Sequence, residues 1–194
     1  MKPTKSPPHS PPNEVRIIGG QWKRTRLPVP DKAGLRPTPD RVRETLFNWL
    51  GHDLNGWRCV DAFAGTGALG FEAASRGATD VLLVEQDAEL VSLLRATQQK
   101  LQATAVKIER ANGLTVLSRI APGSCDLIFI DPPFDAKLWE KALTSAAGAL
   151  QADGRIYLEA STAWTDEQLA PFGLVRDRHM KAGAVHAHLL RRTA

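Results

Sequence analysis

From residue 58 onward, short apolar runs alternate with segments in which apolar residues recur at helical spacing. The runs that predict buried strands are RCVDAF, DVLLVEQ, AVKIER, CDLIFI and GRIYLEAS. Helical segments separate them: ALGFEAASRG, residues 87–101, GLTVLSRI and LWEKALTSAAGAL. A helix near residues 165–170 and strands near 173–179 and 184–191 follow. This order predicts an α/β fold, a doubly wound Rossmann-like domain with a mostly parallel seven-stranded sheet and a C-terminal antiparallel strand.

The first 50 residues differ from the rest in composition and charge. They hold ten Lys and Arg against four Asp and Glu, whereas the whole chain has a net charge of only +4. Residues 1–14 are rich in proline and predict a disordered tail. Residues 15–50 predict a basic hairpin and a helix, with Thr38 as its N-cap, and residues 51–194 predict the ligand-binding domain. Such charge asymmetry indicates an anionic partner, nucleic acid first.

Several classes of protein are disfavoured by what the chain contains. No apolar run approaches the roughly 20 residues of a membrane helix, and the polar N-terminus does not resemble a secretory signal. We therefore expect a cytoplasmic protein without membrane contact. Because the domain is small and shows no obvious additional apolar face, we also expect a monomer. Cys59 and Cys125 adjoin apolar segments and predict buried free thiols. No cluster of Cys and His has metal-ligand spacing, so we expect no metal.

The loop after the first of these strands predicts a ligand site, because ligands of such sheets bind beyond the carboxyl ends of the strands. Gly65 and Gly67 allow a sharp turn and a close approach to a ligand, and Glu85, after the next strand, suits the two hydroxyls of a ribose. GTGALG also matches the dinucleotide fingerprint, so a nicotinamide-dependent oxidoreductase stays open here. Asp61 favours a ligand with an ammonium group, such as the methionine part of S-adenosylmethionine, over a pyrophosphate.

The most specific motif is Asp131-Pro132-Pro133-Phe134, which follows the apolar run LIFI. Two prolines fix the loop and remove two N–H donors, so that carbonyl oxygens can face a ligand without competition. An aromatic side chain at the tip can stack on a nucleobase. The motif predicts a catalytic loop at the carboxyl end of the fourth strand.

Together these motifs resemble the class I S-adenosylmethionine-dependent methyltransferases that act on amino groups of bases. The segments VRIIGGQWKRTRLPVP, LRPTPDRVRETLFNWL, VDAFAGTGALGFEAASRGA and DLIFIDPPF resemble the RsmD family, bacterial 16S rRNA guanine-N2 methyltransferases, over residues 15–192. The resemblance implies rRNA methylation at guanine 966 in the small ribosomal subunit or its assembly intermediate. It also implies S-adenosyl-L-methionine as the cofactor.

Residue roles carried over from this resemblance fall into three groups. The catalytic residues would be Asp131, Pro132, Pro133 and Phe134. Those contacting the cofactor would be Asp61, Phe63, Gly65, Gly67, Glu85, Gln86, Asn112 and Gly113. Those contacting RNA would be Lys23, Arg24, Arg26, Arg36, Arg41 and Arg43. At the adenine site such enzymes often have Ala where this chain has Gly113.

The chemistry of the residues leaves other substrates open. The same catalytic loop suits adenine N6, a DNA base or another RNA, and only the resemblance indicates guanine N2. A non-catalytic RNA-binding protein on the same scaffold is a further alternative, which the intact Asp61, Glu85 and DPPF disfavour.

Overall fold

A computed structural model of the chain describes residues 14–133 and 136–193. The strands are β1 (Glu14–Arg16), β2 (Arg26–Pro28), β3 (Arg58–Asp61), β4 (Asp80–Glu85), β5 (Val106–Arg110), β6 (Cys125–Ile130), β7 (Leu150–Ala160), β8 (Leu174–Ala182) and β9 (Val185–Arg192). The helices are α1 (Asp40–Leu50), α2 (Ala68–Ser75), α3 (Ala88–Leu101), α4 (Gly113–Arg119), α5 (Ala136–Ala149) and α6 (Asp166–Leu169), with a short 3₁₀ turn at Ala170–Phe172.

Seven strands form one sheet in the order β5-β4-β3-β6-β7-β9-β8. The pairs β3–β4, β4–β5, β3–β6 and β6–β7 are parallel, whereas β9 runs antiparallel to both of its neighbours. The predicted doubly wound sheet with an antiparallel C-terminal strand is therefore confirmed. The strand order reverses between β3 and β6, and ligands of doubly wound sheets bind at such a reversal.

Side chains alternate between the two faces of the sheet, and each face has its own apolar core. Phe129 and Tyr157 belong to the core under α1 and α2, which is joined by Phe47 of α1. Ile128 and Leu158 belong to the core under α5 and α6. Because Asp61 pairs in register with Phe129, its side chain lies on the Phe129 face, under α1 and α2.

The N-terminal segment is packed into the first of these cores. Strands β1 and β2 form an antiparallel hairpin, and its apolar residues Val15, Ile17 and Leu27 are buried there. The backbone N–H groups of Ile18 and Gly19 donate to the Glu72 carboxylate of α2 at 2.7 and 2.8 Å. The hairpin is thus fixed to the domain that carries the ligand loops.

Three details of the sequence prediction change in the structure. Glu14 begins β1, while the remainder of the predicted tail lies outside the described residues. Strand β7 begins at Leu150 rather than at Gly154. The assignment of Thr38 as an N-cap is wrong: α1 begins after Pro39 without a side-chain cap, and the Thr38 hydroxyl donates to Glu159.

Candidate active site

Three of the predicted ligand carboxylates lie at one edge of the sheet. Asp61 ends β3, Glu85 ends β4 and Asp131 directly follows β6. Because β3 pairs in parallel with both β4 and β6, their carboxyl ends meet on the same side. The strand reversal therefore brings the glycine loop and the DPP loop together.

Asp61 is a buried carboxylate with one unsatisfied oxygen. Its Oδ2 accepts a hydrogen bond from the Gly70 N–H at 3.1 Å, whereas Oδ1 has no partner among the described residues. Burial raises the pKa of Asp61 to about 7. A buried acceptor without a donor costs on the order of 1–3 kcal/mol. A ligand ammonium placed against Oδ1 would remove that cost and ionise the carboxyl group.

The loop after β3 turns at Gly65 and Gly67, whose φ angles are 54° and 79°. A Cβ at Gly67 would lie 2.6 Å from the Phe71 ring, so only glycine fits. Glu85 holds this loop, since its Oε2 accepts from the Gly65 N–H and its Oε1 accepts from the Asp87 N–H, both at 2.9 Å. Each oxygen keeps a second lone pair that can accept from a ribose hydroxyl.

Asn112 is the N-cap of α4, and its Oδ1 accepts from the N–H groups of Leu114 and Thr115 at 3.0 and 3.3 Å. With its oxygen used in this way, Asn112 offers N–H donors, which suit a ring nitrogen of adenine better than the amino group. Packing requires a glycine at position 113, because a Cβ there would lie 2.1 Å from the Ala62 carbonyl oxygen.

The remaining predicted cofactor residues lie around the same loops. Phe63 is partly buried and lies beside Gly113, where a Cβ would approach its ring to 3.2 Å. Gln86 is exposed, and its carbonyl oxygen accepts from Arg110 Nε at 3.3 Å. Both positions border the Asp61 and Glu85 loops, and their roles stay predictions.

In the predicted catalytic loop, Asp131 is partly buried, Pro132 is buried and Pro133 is exposed, while Phe134 lies outside the described residues. Desolvation of the carboxyl group raises the pKa of Asp131 well above its ordinary value, and the charges of Glu159 and Asp61 raise it further. A carboxyl group in these surroundings favours partners that carry positive charge or N–H donors.

Two residues of this edge were missed by the sequence analysis. Glu159 stands near the end of β7 and is 6% exposed, and its Oε1 accepts from the hydroxyl groups of Thr38 and Tyr157 at 2.6 and 2.8 Å. The available signal was a lone carboxylate at the carboxyl end of an otherwise apolar strand, IYLEA. Thr38 could be assigned only once the chain was folded.

The predicted RNA-binding residues separate by exposure. Lys23, Arg24, Arg36 and Arg41 are exposed, and the described ion pairs include none of them. Arg26 is also exposed but pairs with Glu14 at 3.0 Å.

The prediction that Arg43 contacts RNA is wrong. Its side chain is fully buried, with Nη1 at 3.3 Å from Glu72 and Nη2 at 2.6 Å from Asp40. Arg41, only two positions earlier in α1, is exposed because residues two apart lie on different sides of a helix. The helix therefore uses one arginine in the fold and presents the other at the surface.

Within residues 14–133 and 136–193, no group of three or more His, Cys, Asp and Glu could hold a metal ion. In that same part of the chain, no helix is long and apolar enough to cross a membrane.

Residues 15–191 match the family model described as "Conserved hypothetical protein 95". Ribosomal RNA small subunit methyltransferase D of Escherichia coli K12 is 42% identical over 158 residues, which cover 80% of this chain and 79% of that protein. The protein of the same name from Haemophilus influenzae is 40% identical over 151 residues, covering 75% of this chain and 78% of its own length.

Solved structures agree with these relationships. The structure named yhhF, from Escherichia coli, has a TM-score of 0.80 at 38% identity and covers 93% of this chain and 99% of its own. A 1,6-didemethyltoxoflavin-N1-methyltransferase from Burkholderia thailandensis, solved with S-adenosylhomocysteine, has a TM-score of 0.63 at 14% identity, covering 84% of this chain and 80% of its own. The second likeness shows the fold alone.

Proposed function

The chain belongs to the family of ribosomal RNA small subunit methyltransferase D, and we propose that it transfers a methyl group from S-adenosylmethionine to the exocyclic N2 of a guanine in 16S rRNA. In keeping with the family, we take guanine 966 of the small subunit, or of its assembly intermediate, as the target. The proposal places a monomer in the cytoplasm, without a metal.

The observation that carries the proposal is the pairing of two unlike carboxylates at the strand reversal. Asp61 has a buried oxygen without a donor, which suits a ligand ammonium. Asp131, on the neighbouring strand, begins a proline-fixed loop that suits an amino group. One edge of the sheet thus offers a site for a cationic amino acid moiety beside a site for the N–H groups of a base.

The residues present fit S-adenosylmethionine. Asp61 would accept from its ammonium group, the turn at Gly65 and Gly67 would admit its methionine part, and Glu85 would accept from its ribose hydroxyls. When bound, this cofactor supplies a sulfonium methyl group that is already activated for transfer.

Asp131 would orient the guanine amino group. Its carboxylate and the Pro132 carbonyl oxygen can each accept an N–H bond, which favours a pyramidal nitrogen whose lone pair faces the methyl group. Orientation of this kind lowers a barrier by several kcal/mol, with about 7–11 kcal/mol for ideal proximity. The nitrogen would become acidic as it gains the methyl group and the S–C bond breaks, leaving a neutral thioether. One N–H proton can then leave to water, so Asp131 need not be a strong base.

The target base must be accessible to this edge. Enzymes that react with a base withdraw it from its stack, and Phe134 is the aromatic residue that we assign to stack on the withdrawn guanine. Lys23, Arg24, Arg26, Arg36 and Arg41 are exposed and can contact rRNA phosphates, which would make binding dependent on salt.

The test is transfer of labelled methyl groups to small ribosomal subunits, followed by nucleoside analysis. We expect N2-methylguanosine from the wild type. Asp131→Asn should lower kcat by about 10²-fold or more, as expected when a reacting group loses its orientation, and leave the cofactor Kd within about threefold. Asp126→Asn is the matched control, because Asp126 lies at the other end of the same strand.

Each alternative function predicts a different result in this assay or in cofactor binding. N6-methyladenosine, or label in DNA or tRNA instead of subunits, would overturn the guanine assignment and keep the methyltransferase. A lack of binding to S-adenosylmethionine, with binding to NADH, would overturn the methyltransferase itself in favour of an oxidoreductase.

A further inference from the structure

Glu159 occupies the strand position next to the catalytic carboxylate. Strands β6 and β7 pair in parallel as far as Ile130 opposite Leu158, and Asp131 and Glu159 are the next residue along each chain. The two lie close enough for the charge of Glu159 to act on the Asp131 carboxyl group. Alternation places both on the face that carries Phe129 and Tyr157. Neither side chain belongs to the cofactor loops.

The surroundings of Glu159 favour its charged form over that of Asp131. Two hydroxyl donors, from Thr38 and Tyr157, both end on Glu159 Oε1. Hydrogen bonds to a carboxylate lower its pKa, and here they oppose the desolvation that raises the pKa of Glu159. For Asp131, burial and two nearby carboxylates all act in the upward direction.

Among residues 14–133 and 138–193, the charged groups that face this pair are mostly acidic. From β3, Asp61 adds a third carboxyl group. From α1, Arg43 is the nearby cation, but it is already paired with Asp40 and with Glu72 of α2. On β9, His188 pairs with Leu158 and His186 with Ala160, so alternation places both histidines on the opposite face.

Two neighbouring, poorly solvated carboxyl groups cannot both ionise without a large repulsive cost, so such pairs share one proton at intermediate pH. We propose that Glu159 is a positioning residue that acts through Asp131: held as the anion by Thr38 and Tyr157, it keeps the shared proton on Asp131 when no substrate is bound. This inference rests on the role proposed above for Asp131 in methyl transfer.

A shared proton makes the methyl transfer rate depend on pH in a defined direction. Protonated Asp131 can present an O–H donor where the guanine amino group needs an acceptor, and its remaining C=O oxygen accepts more weakly than a carboxylate oxygen. The proton must therefore leave before Asp131 can accept the N–H bond at full strength. The methyl transfer rate therefore rises with pH as the pair loses its shared proton. Removing the charge of Glu159 makes that loss easier and moves the rise to lower pH.

Glu159→Gln is the decisive variant, since its amide oxygen can still accept from Thr38 and Tyr157. In protein labelled with ¹³C at the aspartate carboxyl carbons, NMR titration follows Asp131 directly, and Asp131→Asn identifies its resonance. We expect the Asp131 titration to move down by about one to three pH units in Glu159→Gln. Glu140→Gln, the same change at an exposed position of α5, should leave it unmoved.

A reciprocal experiment guards against a variant that fails to fold. In protein labelled at the glutamate carboxyl carbons, Asp131→Asn should lower the pH at which Glu159 titrates, and Thr38→Val should raise it. An Asp131 titration that is the same in wild type and Glu159→Gln, or a Glu159 titration unmoved by Asp131→Asn, would overturn the inference.

Activity then connects the pair to catalysis. Under single-turnover conditions, the acid limb of the pH–rate profile should move to lower pH in Glu159→Gln, by the same amount as the NMR titration. If the NMR titrations shift as expected but the wild type transfers no methyl group, the proposed function is refuted and the coupling of the two carboxyl groups stands. A normal wild-type rate with an unshifted acid limb in Glu159→Gln would refute the role of Glu159 alone.

Discussion

Two buried acidic sites lie on the same face of the sheet, and they differ in how their oxygens are satisfied. Glu72 of α2 is fully buried, and four donors reach it: the N–H groups of Ile18 and Gly19 and the guanidinium groups of Arg43 and Arg76. Asp61 is equally buried, yet one of its oxygens has no donor among the described residues.

The difference separates a carboxylate that holds the fold from one that we propose binds a ligand. Glu72 joins the hairpin, α1 and α2, so its charge is compensated within the protein. Burial raises the pKa of Asp61 to about 7, so this carboxyl group is only partly ionised near neutral pH. Buried polar groups are nearly always paired, so an exception requires an explanation, and a cationic ligand provides one.

Removal of the Glu72 carboxylate should have the largest effect on stability. Glu72→Ala leaves Arg43 buried without one of its two acidic partners and frees two backbone N–H groups of the hairpin. We expect the free energy of unfolding to fall by about 3–5 kcal/mol, as for other broken buried pairs, measured by urea denaturation. Glu109→Ala removes a half-exposed ion pair with Arg119 and should cost less than about 1 kcal/mol. Equal losses in the two variants would contradict the structural role of Glu72.

Asp61→Asn should weaken ligand binding without lowering stability, whereas Glu72→Ala should mainly lower stability. We expect the affinity for S-adenosylhomocysteine to fall by about 10–100-fold, the equivalent of a charged hydrogen bond. The free energy of unfolding without ligand should stay equal or rise, because an isosteric amide removes a desolvated carboxyl group. Titration calorimetry and urea denaturation of the same samples measure both quantities. A loss of stability as large as that of Glu72→Ala would remove the distinction between the two sites.

The same carboxyl group predicts how stability varies with pH. Asp61 has a folded pKa of about 7, above the value of about 3.9 in an unfolded chain, so the folded state holds a proton that the unfolded state releases. Wild-type stability relative to Asp61→Asn should therefore fall as pH rises from about 4 to about 7. A constant difference across this range in denaturation experiments would indicate that Asp61 is ionised in the fold.

Ligand affinity should change with pH in the other direction. An ammonium group requires the ionised form of Asp61, so binding below pH 7 must first remove a proton. We expect the Kd of S-adenosylhomocysteine to fall by about five- to tenfold between pH 6 and pH 7.5, from one linked proton. Asp61→Asn should remove this dependence. The same slope in wild type and variant would assign it to another group.

The smallest effect is expected at the surface. In α1, the buried Arg43 holds the fold, whereas the exposed Arg41 is available to a partner. Arg41→Ala should weaken binding to small-subunit rRNA by a few-fold and reduce the slope of log K against log salt by about 1, as for a lost phosphate contact. Arg95→Ala, on the exposed side of α3, is the control. An unchanged slope for Arg41→Ala would show that this face of α1 lies away from the RNA.

The sequence was sufficient to predict most of the fold because each strand and helix carries its own periodicity. GTGALG and DPPF could also be placed, since ligand loops of such sheets follow the carboxyl ends of the strands. Burial of individual charges was harder to predict. Arg41 and Arg43 have the same chemistry, and only the rotation of α1 against the core separates them.

What the sequence determined by itself is local: the strand and helix order, the glycines at positive φ and the carboxylates at strand ends. What only the tertiary structure decided is which distant groups meet. Thr38 reaches Glu159 across 121 residues, and Gly19 reaches Glu72 across 53. Such contacts depend on strand register and helix packing, and these are set by many weak interactions along the whole chain. For that reason the proposed coupling of Asp131 with Glu159 depends on the parallel pairing of β6 with β7, which the sequence does not show.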